Sequence, residues 1–250
     1  MIDAAVQALV AARREHRPVA AGATPLPDAD AAYAVQDGVA QWFGWFDAGF
    51  PRHWKSGGPS RDAVLTHAPL PPSGVWTSPA QAGDWPFRMR GIEAELALRL
   101  GQPISPAQAA GLDRVQASEC VDAICVSIEV VDSRWTEGLA APALAKLADL
   151  QSHGALVLGD WTPFSPRDWS TQPCRVRIGA AAWVERCGTH AMSDPAFVLP
   201  AWLRHATRHG DTVPAGTVVT TGTWVGVLDA AAGDRVDVEF PGIGKASLQL

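Results

Sequence analysis

The sequence predicts an α+β fold: a curled, barrel-like mixed β-sheet with inserted helices and an N-terminal helical segment. Three observations carry that expectation. Period-two runs dominate from about residue 86 onward; helical patterns interrupt them without the regular alternation of a parallel α/β sheet; and residues 3–46 hold two amphipathic helical patterns. The chain is divided accordingly into an N-terminal helical segment, residues 1–60, packed on a main domain, residues 61–250. With 250 residues, 47% apolar and 18% charged, it can bury a sizeable core.

Taken in order, Ile2, Val6, Leu9 and Val10 fall on one face of a helix over residues 3–15. The turn-rich link RPVAAGATPLPDAD follows, and Asp30 is expected to cap a second helix, AAYAVQDGVAQWFGWF, in which Tyr33 is a half-buried helix residue. In PRHWKSGGPSRD, Lys55 leads out of a short strand into a glycine turn, from where it can project into a cleft. Residues 65–85 are proline-rich and read as an irregular connection across a surface. A period-two strand then runs through GIEAELALRL, with Ile92, Ala94, Leu96, Leu98 and Leu100 on one face and Glu93 and Glu95 together on the other. Alternate residues lie roughly 6.6 Å apart. The pair fits either the wet face of a sheet or two carboxylates converging on one hard cation.

Ser105-Pro106 opens a helix expected to reach Ala117. In the next strand, DAICVSIEVVDSRW, Ile124, Val126, Ile128 and Val130 form one face and Ser127 and Glu129 the other. An acid in so apolar a strand needs a partner, either Arg134 or Arg99, or a metal. KLADLQSHGALVLG places Asp149, Ser152 and a loop histidine, His153, just before a further strand, where polar groups can face a pocket. CRVRIG and AAWVER read as a hairpin turning at Gly179, SDPAFVLPAWLRHATRHG as a proline-opened helix, and the tail as short strands with turns at Ala215-Gly216, Gly233-Asp234 and Gly242.

A net charge of −6 and the lack of any Lys/Arg cluster argue against nucleic-acid binding, and no apolar run approaches the ~20 residues of a membrane span. A small-molecule partner is expected instead. Cys120, Cys125, Cys174 and Cys187 show no metal or redox spacing and read as reduced thiols. Asp3 stands where a signal peptide wants positive charge, so the expected location is the cytoplasm.

Together, GIEAELAL, SIEVVDSRW, ADLQSHGALVLG, GTVVTTGT and GDRVDVEFPGIGKASL, in that order, resemble the fumarylacetoacetate hydrolase superfamily. AAYAVQ and HWKSGG extend the likeness, most of all to its 2-oxopent-4-enoate hydratase and oxalocrotonate decarboxylase branch. The resemblance implies a Mg²⁺ or Mn²⁺ site at Glu93, Glu95 and Glu129, chelated by a 2-oxo acid. It implies that Lys55 orients the substrate carboxylate or assists proton transfer, that Asp149 and Ser152 lie near the substrate, and that Thr221, Gly222 and Thr223 form a loop binding its carboxylate. The implied activity is that of a metal-dependent lyase of aromatic catabolism, working through a metal-bound enolate or dienolate: a 2-hydroxydienoate hydratase or the related 2-oxo diacid decarboxylase. The alternatives are an acylpyruvate hydrolase, for which His153 is the nearest histidine, and a non-catalytic 2-oxo acid binder. Homo-oligomers are also implied. Two departures stand out: Leu150 follows Asp149 where the hydratases typically carry asparagine, and Thr77, Ser78 and Pro79 supply no acid after Gly74-Val75-Trp76. Trp54, Trp76, Trp135 and Trp224, beside these motifs, fit either aromatic pocket walls or core.

Overall fold

The computed structural model describes residues 1–47 and 49–250. Helices α1 (Ile2–Glu15) and α2 (Ala29–Phe43) pack on each other through Ala5, Leu9, Val10, Ala32, Val35 and Val39. The cap of α2 is Asp28 rather than Asp30: its carboxylate accepts the Ala31 N–H at 2.8 Å, satisfying an otherwise unpaired donor of the first turn. Two residues further along, Asp30 already lies inside the helix.

The chain then enters strands β1 (His53–Gly57), β2 (Thr66–Pro69), β3 (Val75–Thr77), β4 (Ala80–Gln81) and β5 (Gly91–Leu100). Where one helix was expected over 105–117 there are two, α3 (Pro106–Gly111) and α4 (Arg114–Glu119). Ser105 with Gln108 and Asp113 with Gln116 each form a capping box, and the second start signal ends the first helix. Next come β6 (Val121–Val131), α5 (Ala143–Ala148), β7 (His153–Leu158), β8 (Thr162–Pro163), β9 (Pro173–Ile178), β10 (Val184–Cys187) and α6 (Leu199–Ala206). The tail adds β11 (Val218–Thr220), β12 (Leu228–Asp229), β13 (Arg235–Phe240) and β14 (Gly244–Gln249).

These strands make a curled half-barrel mixed sheet in the order β2-β1-β11-β5-β6-β7-β3, with β12 on β5 and β8 on β6, and a second sheet in the order β10-β9-β13-β14-β4. The β1–β11 and β3–β7 pairs are parallel, and β5 and β6 form the long antiparallel centre. Apolar faces of both sheets, with Leu199, Trp202 and Leu203 of α6, make the largest buried cluster. The strand carrying Lys55 lies within the first 60 residues, yet it is an integral strand of the main sheet. The preceding helices are tied down separately: the Gln36 amide donates to the carbonyls of His67 and Leu147, and α2 packs on α5.

Candidate metal and substrate site

On β5 and β6 the period-two alternation sends Ile92, Ala94, Leu96, Ile124, Val126, Ile128 and Val130 into the core. Ser127 and the three glutamates therefore emerge on the opposite face. Register does the rest. Glu93 stands directly opposite Glu129 and Glu95 opposite Ser127, which puts the Cβ atoms of each pair roughly 4.5–5.5 Å apart. One oxygen from each of Glu93, Glu95 and Glu129 lies within 4.8 Å of the others. Glu95 is 2% exposed, Glu129 0%, and Glu93 half-buried.

The Lys55 ammonium donates to Glu129 Oε1 at 2.5 Å and to the Gln151 carbonyl at 3.2 Å. Glu129 thus pairs with Lys55 and not with either expected arginine, because Arg99 is held by Asp122 and Arg134 by Asp149. His153, expected in a loop, opens β7, and its Nδ1 donates to the same Glu129 oxygen at 3.1 Å. Glu129 Oε2 is buried without any partner. Glu95 Oε2 accepts the Gly222 N–H at 3.0 Å and the Thr220 hydroxyl, which also lies 2.9 Å from Ser127 Oγ. Gly222 sits at φ 103°, a left-handed conformation that glycine adopts without strain.

Burial, reinforced by the neighbouring carboxylates, raises the Glu93 carboxyl to about 8. The same causes raise Glu95 to about 7, against the pull of Lys55, Thr220 and Gly222. Burial also acts on Glu129, but Lys55 and His153 outweigh it and hold that carboxylate below its ordinary range. Three acids therefore crowd around one ammonium, and one buried oxygen is left unpartnered. An all-oxygen donor set with surplus negative charge fits a hard divalent cation.

The other expected residues divide. Ser152 lines the same cleft as Lys55, Glu93 and Glu95, and its hydroxyl is buried without a partner. Thr221, Gly222 and Thr223 line it too. Three of their polar groups are engaged: the Thr221 hydroxyl donates to the Leu96 carbonyl at 2.8 Å, the Thr223 hydroxyl to the Gly226 carbonyl at 2.9 Å, and the Gly222 N–H to Glu95. Asp149 is fully buried outside the cleft, accepting from Arg134 Nε at 2.7 Å, Arg13 Nη2 at 2.9 Å and the Arg134 N–H at 2.9 Å. It joins α1 to the turn that carries Ser152. Asp149→Asn is expected to cost about 3–5 kcal/mol of stability in urea unfolding, since it removes the fully buried anion that two largely buried guanidinium groups share. Unchanged stability with reduced turnover would show instead that Asp149 acts on the substrate.

Two contributors were missed by sequence reasoning, Thr220 and Gln151. Leu150, Gln151 and Ser152 occupy φ values of 52°, 55° and 59°, three successive non-glycine residues in the left-handed region. That turn aims the Gln151 carbonyl at Lys55 and puts Ser152 on the cleft. Such a run stores strain, which tends to be held where function needs it.

The fumarylacetoacetate (FAA) hydrolase C-terminal family matches residues 49–250, which include Lys55, the three glutamates, Ser152 and the Thr221–Thr223 loop. The chain belongs to that family. Among curated relatives it is 27% identical to 2-keto-4-pentenoate hydratase 2 of Dechloromonas aromatica (strain RCB), over 98% of this chain and 95% of the relative. It is 28% identical to 2-keto-4-pentenoate hydratase 1 of the same organism, with the same coverage. Among solved structures, 4-oxalocrotonate decarboxylase from Pseudomonas putida G7, complexed with magnesium and adipate, superposes with a TM-score of 0.84 at 18% identity, over 99% of this chain and 96% of that one. At that identity the likeness establishes a shared fold.

Within this family member, the cleft lined by Glu93 and Glu95 has a volume of about 930 Å³. Among the described residues no tryptophan lines it. Trp54, Trp135 and Trp224 are core, and Trp76 packs on Trp85 and Phe87. Leu150 turns its side chain into the interior.

Proposed function

We propose that this chain is a divalent-metal-dependent lyase acting on a 2-oxo acid through its enolate, as a 2-hydroxydienoate hydratase or, in a second form, the related decarboxylase. The observation that carries the proposal is the convergence of Glu93, Glu95 and Glu129 at a cleft that also presents Lys55 and Ser152. The hydratase names of the two curated relatives and the magnesium complex of the decarboxylase support it. Glu93, Glu95 and Glu129 would hold Mg²⁺, or Mn²⁺, through oxygen alone. A hard cation bound there supplies Lewis acidity that favours the enolate of a 2-oxo acid.

The protein's own groups do the positioning. Thr220 and Gly222 fix the orientation of Glu95. Lys55 spends two of its three N–H donors on Glu129 and Gln151, which leaves one for a substrate carboxylate. The Ser152 hydroxyl, unpartnered on the cleft wall, is placed to hold a substrate oxygen or a water. His153 lies behind Glu129 and does not line the cleft, so the geometry does not favour a histidine-activated water of the hydrolase type. The direct test is the absorbance of 2-hydroxypenta-2,4-dienoate. Its decay should be accelerated by the protein with Mg²⁺ and fall to the uncatalysed rate in excess EDTA; acceleration by the protein that ignores EDTA would refute the proposal.

The crowding also makes a prediction about stability. Glu93 and Glu95 have folded pKa values raised to about 8 and about 7, so their contribution is fully present below the unfolded carboxylate range and is lost as pH rises through those values. Protein stripped of metal should therefore melt at a lower temperature at pH 8 than at pH 5.5. Mg²⁺ at a hundred times its Kd would restore about 2.7 kcal/mol, or roughly 5–10 °C for a chain of this size, with a smaller gain at pH 5.5 where protons compete. Thermal melts in EDTA and in MgCl₂ read this directly.

A further inference from the structure

Three of the seven large apolar side chains exposed among the described residues stand on the rim of one cleft: Val64 at 87% exposure, Leu139 at 37% and Val227 at 41%. Exposed apolar groups gathered at one mouth mark a binding surface more often than chance placement does. Below them Leu144, Leu147 and Met192 continue the apolar wall toward the carboxylates. The cleft is thus polar at one end, around Lys55, Glu93, Glu95 and Ser152, and mainly apolar elsewhere, with Lys146 and Thr66 the exceptions.

Its size points the same way. About 930 Å³ sits at the upper end of the roughly 300–1,000 Å³ typical of pockets that enclose a whole drug-sized molecule, far more than a five-carbon acid occupies. Charge narrows the choice further. Apart from Lys55, already engaged by Glu129, the cleft is lined among the described residues by one cation, Lys146, whose ammonium donates to the Leu139 carbonyl at 3.1 Å. Among the described residues no arginine lines it.

We infer that the cleft selects 2-oxo acids with an uncharged, apolar tail of about six to eight carbons in all, with Val64, Leu139, Leu144 and Val227 covering the tail. The inference rests on the 2-oxo acid reading of the polar end. It assigns the substrate class, a long-tailed monoacid rather than a short acid or a diacid, and so keeps the hydratase form of that reading over the diacid decarboxylase.

Calorimetric titration of the full chain with saturated probes in MgCl₂ tests it: 2-oxobutanoate, 2-oxohexanoate, 2-oxooctanoate and the diacid 2-oxoadipate. Affinity should rise about fourfold for each methylene buried. 2-Oxoadipate should bind no more tightly than 2-oxobutanoate. Leu144→Asp should collapse the ratio of eight-carbon to four-carbon affinity, as should Val64→Asp, whose position is too exposed to matter for folding. A flat series overturns the inference, and so does tightest binding of 2-oxoadipate that is lost in Lys146→Met, which would make Lys146 the receptor of a second carboxylate. If Val64→Asp changes the sedimenting mass but not the ratio, a second copy of the chain covers the rim and the inference is again overturned. Should none of the probes, 2-oxooctanoate included, bind in a Mg²⁺-dependent way, the reading of the polar end falls and this inference with it; a flat series with Mg²⁺-dependent binding sinks only the tail.

Discussion

Replacing Glu95 with glutamine is expected to lower Mg²⁺-dependent turnover by about a thousandfold or more, because several kcal/mol of Lewis-acid stabilisation disappear at about 1.4 kcal/mol per factor of ten. The fold should survive. Glutamine keeps the length of the side chain, and its carbonyl oxygen can still accept from the Gly222 N–H and the Thr220 hydroxyl. Removing one of three crowded carboxylates should also leave metal-free Glu95→Gln at least as stable as the parent at pH 8. The diagnostic result is a variant that melts normally and no longer gains thermal stability from Mg²⁺. Retained turnover would remove Glu95 from the site.

Lys55→Met should separate metal binding from substrate handling. Methionine fills the space of the largely buried lysine stem but supplies neither the partner of Glu129 nor the donor left for substrate. Turnover is expected to fall by about 10²–10⁴-fold, the range associated with losing a positioned proton-handling group, and a raised KM would assign part of that loss to carboxylate binding. Metal binding should persist, since removing a positive charge beside three acids makes the site more attractive to a cation. Steady-state kinetics alongside Mg²⁺ thermal shifts read both halves. If Lys55→Met lost the thermal shift as completely as Glu95→Gln, Lys55 would be needed to assemble the acid cluster rather than to meet the substrate.

Much of the frame was legible in the residues. Alternation fixed which face of β5 and β6 carries the acids, because a half-buried strand repeats every two residues and both strands are long enough to show it. The partners of those acids were less accessible. That Glu93 faces Glu129 is a matter of register between strands separated by two short helices, and register is decided by long-range packing rather than by either strand alone. Thr220 and Thr221 are hard to tell apart for a similar reason: at the end of β11, a shift of one residue decides which threonine points at Glu95 and which at the Leu96 carbonyl. The left-handed turn Leu150–Ser152 contains no glycine, so no local signal announced it, although it carries the Gln151 carbonyl to Lys55. Asp149 read as a pocket residue because its loop neighbours the strand; only the fold shows that Arg13, more than a hundred residues earlier, comes to meet it. The cap of α2 moved from Asp30 to Asp28 within one turn, the kind of boundary that several candidate caps in a row leave open.

A divalent cation at Glu93, Glu95 and Glu129 is expected to promote enolisation of a 2-oxo acid. Exchange of the C3 protons of a simple saturated 2-oxo acid with D₂O, followed by proton NMR, tests it without the true substrate. Exchange should be rapid in MgCl₂, fall to the uncatalysed rate in excess EDTA, and be absent in Glu95→Gln. Folded, Mg²⁺-binding protein that leaves the C3 signals at full intensity, or exchange that EDTA does not slow, would contradict the account.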